Sequence, residues 1–155
     1  MNHEAYCAQI LKVTEGESFI SIGDKQLAKR LNPSYYSDLM EGRALSLPDL
    51  FSQRDFGNYA VFRLREVKFK LEERLVIKAL EQLQSGIKQI NRFFESSRID
   101  RVEIVVPLKG RSLKKSELLF VGTPLDSNRY CLHFKGQENV FIEEQGRYPV
   151  SILFL

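Results

Sequence analysis

The stretch from Leu71 to Glu95 constrains this chain most. Leu80, Leu83, Ile87, Ile90 and Phe94 recur at spacings of three and four, the period of one face of an α-helix. Such a helix carries an apolar stripe that must be buried, and its flanks say against what. Tyr59 to Lys70 is rich in Val, Phe and Tyr and partly alternates, with Ala60, Phe62, Leu64, Glu66 and Lys68 on one face. Asp100 to Leu108 puts Val102, Ile104 and Val106 on one face. Strand, helix, strand in this order predicts a right-handed crossover joining two parallel strands. With 155 residues, 43% hydrophobic and 28% charged, the chain has the material for one core.

The rest reads as two flanking parts of one domain spanning 1–155. The N-terminal part, 1–47, is helical. A short helix is expected from Glu4 to Val13, a turn over Thr14 to Glu17, and a short strand from Phe19 to Ile22. A second helix is expected from Asp24 to Leu31, broken by Asn32-Pro33, and a third from Ser34 through Met40, ended by Gly42. Ser52 to Asn58 reads as a turn before the core strand. The C-terminal part, 109–155, reads as β-rich: Glu117–Val121, Arg129–Phe134, Val140–Ile142 and Val150–Leu155, the last a buried strand because it is almost wholly apolar. The fold class is α/β, or α+β, with a small mixed sheet.

No apolar run reaches the roughly 18 residues that span a bilayer, and no secretory signal is visible at Met1 to Tyr6. Cys7 and Cys131 are far apart without metal-type spacing, so reduced thiols in a cytoplasm are expected, with no membrane partner. Walker, GxGxxG, HExxH and GxSxG patterns do not occur, which weighs against nucleotide-cofactor and zinc-protease chemistry. Charge is uneven. Residues 61–115 hold 14 Lys/Arg against 7 Asp/Glu, while the remainder carries a net charge of −4. A basic middle suits contact with a polyanion.

Within that middle, Pro48-Asp49 precedes Glu66-Val67-Lys68 by seventeen residues. On a strand, Glu66 and Lys68 point to the same side, and a hairpin folding back brings Asp49 beside them. Paired carboxylates bind Mg²⁺ or Mn²⁺ through hard oxygen ligands, and a lysine beside them can orient water or stabilise negative charge on a phosphoryl group. Asp55, nearer in sequence, competes with Asp49 for the ligand role.

These residues resemble the motif of the PD-(D/E)xK nuclease superfamily, of restriction-endonuclease-like fold. The resemblance covers 48–108 at most and includes the order of motif hairpin, helix and strand. It implies a metal-dependent nuclease in which Asp49 and Glu66 hold Mg²⁺ or Mn²⁺ and Lys68 assists the water. It also implies a glutamine on the following helix facing the site, Gln82 first, with Gln84 and Gln89 behind it, and an acidic residue from an N-terminal helix, Glu4. Nucleic acid is the expected partner, DNA ahead of RNA, and a homodimer is expected of a small enzyme that cuts both strands. Arg63, Arg65 and Lys70 would flank the site. Lys109-Gly110-Arg111-Ser112-Leu113-Lys114-Lys115 carries four cations and no acid and would grip phosphates through Lys109, Arg111, Lys114 and Lys115.

Two other function classes fit parts of the chain. Asp24 to Arg43 resembles a phage-repressor helix-turn-helix, with Tyr35, Ser37 and Asp38 on the recognition helix. That reading makes the chain a DNA binder that cuts nothing. An antitoxin-like, immunity-like or phage accessory interaction domain would dock through an edge of the C-terminal β-portion. Cys131 and His133 share one side of a strand, but no orienting acid stands near them to make a nucleophile pair.

Overall fold

The computed structural model describes residues 2–14, 19–21, 33–41, 48–94 and 96–155. The helix expected over 24–31, the turn after residue 14 and the Gly42 stop lie outside the described residues. Helix α1 (His3–Thr14) leads to the short strand β1 (Ile20–Ser21), and α2 (Pro33–Met40) precedes the hairpin of β2 (Leu50–Asp55) and β3 (Ala60–Val67). Helix α3 (Glu73–Phe93) and β4 (Ser97–Val106) follow. A single helical turn, α4 (Lys115–Leu118), then leads into β5 (Val121–Pro124) and β6 (Arg129–Phe134). The chain closes with β7 (Gln137–Glu138), β8 (Val140–Glu143), β9 (Gly146–Pro149) and β10 (Ser151–Phe154). This is a mixed α/β fold, and no helix among the described residues is long and apolar enough to cross a membrane.

The main sheet has eight strands, in the order β1-β2-β3-β4-β10-β6-β5 with β7 beside β6. Its centre is parallel: β3 pairs β4, and β10 pairs β4, both in parallel register. The remaining pairs are antiparallel. The crossover expected from strand, helix and strand is therefore present, because parallel neighbours need a long connection and α3 supplies it. The terminal apolar segment is the third parallel strand, β10, wedged between β4 and β6. A strand buried on both faces has no alternation to show, and all four residues of β10 are buried.

Parity along the strands divides the core. Phe62, Leu64, Val102, Ile104, Val106, Ile152 and Phe154 face Val76, Ala79, Leu83, Ile87 and Ile90 of α3. On the reverse face Leu50, Val67, Val105 and Leu153 meet Tyr6 and Ile10 of α1. The Tyr6 hydroxyl donates to the Leu155 carbonyl at 3.0 Å, which pins α1 to the end of the chain. The β8–β9 hairpin lies against α3, tied by Gln84 to Glu143 and by Asn91 to Tyr148.

Three expectations from sequence are corrected. Ser52 to Asp55 is strand, not turn: β2 pairs β3 from Leu50 opposite Arg65 to Asp55 opposite Ala60. The turn is confined to the tip, where Phe56 N–H donates to the Tyr59 carbonyl and Gly57 takes φ 89°. Polar Ser52 and Gln53 hid the strand because the ladder, not the side chains, holds it. Of the segment 117–121 only Val121 is strand, as the first residue of β5. Glu117 lies within the helical turn α4, with its carboxylate buried on Arg111 and on the Leu71 N–H. Finally, α3 begins at Glu73, two residues after the first apolar position.

Arg65 is the largest departure. It is not a surface cation but 2% exposed, donating from Nε to Glu103 Oε1 at 2.7 Å. Glu103, fully buried on β4, also accepts from Arg129 Nε at 2.8 Å and from the Ser151 hydroxyl at 3.0 Å. Burial pushes the Glu103 carboxyl up, but the Arg129 hydrogen bond and the Arg65 charge outweigh it and hold the carboxyl below its usual range. Burial draws the Arg65 guanidinium down against the pull of Glu103. A guanidinium starts so far above neutrality that it stays charged. Breaking such a group from one side leaves a buried charge unpaired, at a cost of about 3–5 kcal/mol. Glu103→Gln is expected to lose that much in urea unfolding; a loss below about 1 kcal/mol would mean that water already reaches Arg65.

Candidate functional site

The site lies where β3 runs out and the chain enters β2. Because Leu50 pairs Arg65, the residue before β2 falls opposite Glu66. Asp49 and Glu66 are accordingly linked twice. The Asp49 N–H donates to Glu66 Oε1 at 3.3 Å, and the Val67 N–H donates to Asp49 Oδ2 at 2.9 Å. Asp55 is excluded from this role. It sits at the other end of the hairpin and accepts from the Gly57 N–H, six strand residues from Glu66 or roughly 20 Å.

Pro48 sets the position of Asp49. It packs on α3 at Gly86, where an added Cβ would stand 2.9 Å from Pro48 Cδ and 3.3 Å from Leu64 Cδ1. The proline ring is part of the backbone and cannot swing aside, so glycine is required for this approach rather than for any turn. Glycine inside a long helix is the sequence signal that such a contact exists.

A cavity of about 370 Å³ opens over the pair, lined by His3, Asp49, Glu66, Lys68, Phe69, Lys70 and Gln82, with Val67 and Leu75 completing it. The residues Asp49, Glu66, Lys68 and Gln82 are therefore brought to one place, as the spacing and the resemblance led one to expect. Gln84 turns instead to Glu143, and Gln89 does not line the cavity. His3 takes the place expected of Glu4: its Nε2 is 3.1 Å from Asp49 Oδ2, whereas Glu4 is exposed outside the cavity. No sequence pattern pointed to His3, which reaches the site only because α1 packs on the reverse face at its edge.

The basic residues separate into two groups. Arg63 and Arg65 point to the sheet face opposite Glu66. Arg63 is paired with Asp100 and covers the Phe19 ring at 3.8 Å, and Arg65 is locked on Glu103. Arg111 is likewise structural, bonded to Glu117 and to the Phe69 carbonyl. All three are engaged by carboxylates within the protein, and Arg65 is buried out of reach of a phosphate. Lys70, Lys109, Lys114 and Lys115 are exposed. Lys70 pairs Glu72 at 2.8 Å at the cavity rim. That hydrogen bond holds the Glu72 carboxyl below its usual range, and Arg74 and Lys114 are close enough to add to the effect. The Arg111–Phe69 bond thus brings part of the basic loop to the mouth of the site.

The two carboxyls divide their charge unequally. Glu66 is 1% exposed. Burial, then the hydrogen bond and charge of Asp49, push it up to about 9, against the opposing pull of Lys68. Asp49, with its side chain 24% exposed, goes the other way. Burial raises it, but the bonds from Glu66, from the Val67 N–H and from His3 prevail and lower it. The pair therefore holds one proton at neutral pH, on Glu66. Glu66 Oε2 is buried with no hydrogen-bond partner among the described residues. That oxygen is the place left for the shared proton or for a cation that displaces it. Among the described residues no three His, Cys, Asp or Glu side chains form a ready metal cluster. A Mg²⁺ or Mn²⁺ ion would rest on the Asp49–Glu66 pair and fill its shell with water or substrate oxygens, which is how Mg²⁺ is commonly held. The donor set fits that group.

Neither thiol is activated. Burial and the charges of Asp49 and Glu66 push Cys7 up to about 11. Burial and Glu138 raise Cys131. Both stay protonated at neutral pH. Helix α2 forms as expected, with Tyr36 packed at the edge of the core. The other half of the expected helix-turn-helix lies outside the described residues, as do the side chains of Tyr35 and Asp38.

Two measurements check this geometry. Gly86→Ala raises helix propensity by up to about 1 kcal/mol, yet it is expected to destabilise the protein by about 1–2 kcal/mol in denaturant melts, because Pro48 must give way. A stabilised variant would show that Pro48 is not seated on the helix. The second concerns pH. A carboxyl raised in the folded state binds its proton there and not in the unfolded chain, so stability falls as pH climbs from about 4.5 toward 9. Glu66→Gln removes that loss. In EDTA it should melt like the parent near pH 5 and be more stable, on the order of 1–3 kcal/mol, near pH 8. Parallel pH profiles for the two proteins would show that Glu66 is not buried as described.

In comparisons with known proteins, no family model, curated protein or solved structure matches this chain.

Proposed function

We propose that the protein is a metal-dependent nuclease of restriction-endonuclease-like architecture, hydrolysing phosphodiester bonds in nucleic acid at the Asp49–Glu66 pair. One observation carries the reading. Two carboxyls, one just before β2 and one on β3, converge beside Lys68 and Gln82, and one buried carboxylate oxygen among them has no hydrogen-bond partner among the described residues. Two carboxyls packed this closely keep a proton between them until a cation takes its place, and holding that proton far above the usual carboxyl range is expensive. The helix-turn-helix and interaction readings leave that expense unexplained.

When bound, a divalent cation supplies a Lewis acid for phosphoryl oxygen and lowers the pKa of water. Asp49 and Glu66 would hold it, and the Val67 N–H and His3 keep Asp49 oriented. Lys68, half-buried on the same side of the chain as Glu66, stabilises the negative charge that builds on the phosphoryl group. The Gln82 amide, presented from α3, orients substrate or water across the cavity. Water adds through its oxygen to phosphorus, the bond from phosphorus to the leaving sugar oxygen breaks, and that oxygen takes up a proton. The products are a phosphomonoester and a hydroxyl end. Exposed lysines at the mouth, Lys70 and Lys114 first, bring the polyanion in, so binding weakens steeply with salt.

Purified protein is expected to cut plasmid, single-stranded DNA or RNA with Mg²⁺ or Mn²⁺ and to stop in EDTA. Glu66→Ala and Lys68→Ala should each reduce the rate at least a hundredfold, the scale of lost electrostatic stabilisation at such sites, with folding unchanged by circular dichroism. Cleavage that survives both substitutions would assign the activity elsewhere. Salt-sensitive DNA binding with no cleavage on any substrate would make the protein a binder.

A further inference from the structure

Phe69 stands between Lys68 and Lys70, lines the same cavity as the carboxyl pair, and is 41% exposed. Its position is fixed rather than frayed. Arg111 Nη2 donates to its carbonyl at 3.1 Å, and the next-but-one N–H, of Leu71, donates to Glu117. The ring leans on α1, edge-on to His3 with centroids 6.0 Å apart and tilted against Tyr6 at 5.8 Å. A phenylalanine whose ring the core does not finish burying, set among lysines at the edge of a polar cavity, gains nothing for folding from its exposed surface. An aromatic face beside cations is the pairing used to hold unpaired nucleotides: the cations take the phosphates and the ring takes a base. Duplex DNA cannot use it, because its base faces are covered by their neighbours in the stack.

We infer that the site takes single-stranded nucleic acid, with one unpaired base stacked on Phe69 and the adjoining phosphates on the lysine rim. This rests on the nuclease reading for the role of the neighbouring carboxyls, but its test does not. Base–aromatic stacking makes little distinction among the four bases, so the preference is for strandedness and not for sequence.

The chain contains no tryptophan, so Phe69→Trp introduces a single reporter at the platform. In EDTA, a mixed-sequence single-stranded oligonucleotide is expected to quench its fluorescence, and the matching duplex at the same concentration is not. In anisotropy titrations with labelled oligonucleotides, Phe69→Leu keeps an apolar side chain against Tyr6 but has no ring. It should weaken single-strand binding roughly five- to a hundredfold and leave duplex binding as it was, while Phe69→Trp retains tight binding. Absence of quenching, or duplex bound as tightly as single strand by the parent protein, overturns the inference even if metal-dependent cleavage is intact. Quenching by single strands in a protein that cuts nothing overturns the nuclease reading and leaves the single-strand site standing.

Discussion

The carboxylate of Glu103 is the interaction on which the sheet depends. From β4 it accepts from Arg65 of β3, Ser151 of β10 and Arg129 of β6, so one buried group links four adjacent strands. Parallel strands far apart in sequence have no tight turn to set their register. A slip of one residue would turn every side chain to the wrong face. A single charged acceptor with donors from three neighbouring strands penalises such slips, because any of them strands a buried charge. The site inherits this precision. Glu66 follows Arg65 directly, so locking Arg65 to one face commits Glu66 to the other, against α3 and opposite Asp49.

The parts of the fold that were legible in sequence are those where burial imposes a period. The stripe from Leu80 to Phe94 announces α3, and Val102, Ile104 and Val106 announce the face it covers. The pair Asp49 and Glu66 could be read because a hairpin's geometry makes distant positions neighbours in a countable way. Residues whose role depends on a tertiary partner could not be read. Arg65 and Arg111 look like any surface cation until Glu103 and Glu117 are beside them. Charge counting over 61–115 therefore overstates the surface available to a polyanion. The outer half of β2 read as a turn because Ser52 to Asp55 are polar and its hydrogen bonds are not written in composition. His3 acts through packing between elements far apart in the chain, and nothing local distinguishes it; Gly86 is marked by its place inside a long helix, but its partner Pro48 is not.

The site itself is a local exception to the rules that build the rest. The other two buried carboxylates among the described residues are satisfied: Glu103 by three donors, and Glu117 by Arg111 and two backbone N–H groups. At Glu66 the same burial is combined with a like charge, and one oxygen is left over. Perturbed carboxyls of this kind concentrate where chemistry is done, since the arrangement costs stability that a purely structural role would not require. The contrast is informative because both carboxylates lie on neighbouring central strands of one sheet, at matched depth. Glu66 and Glu103 differ in what faces them, arginines in one case and an aspartate in the other.

The mouth of the site is held by the second of these satisfied acids. Glu117 binds Arg111, and both reach across to the segment leaving β3: Arg111 to the Phe69 carbonyl and Glu117 to the Leu71 N–H. This bracket works on the backbone, so it fixes the path of Lys68, Phe69 and Lys70 without using their side chains. It also explains why a basic loop with four cations contributes one of them to structure. Arg111, with a planar fork able to serve an acid and a carbonyl together, anchors the loop, while the lysines, compact charges on flexible stems, remain at the surface. On the proposed reading, a backbone held in place beneath exposed, long-stemmed cations suits a site that places a reacting bond closely but accepts any sequence around it.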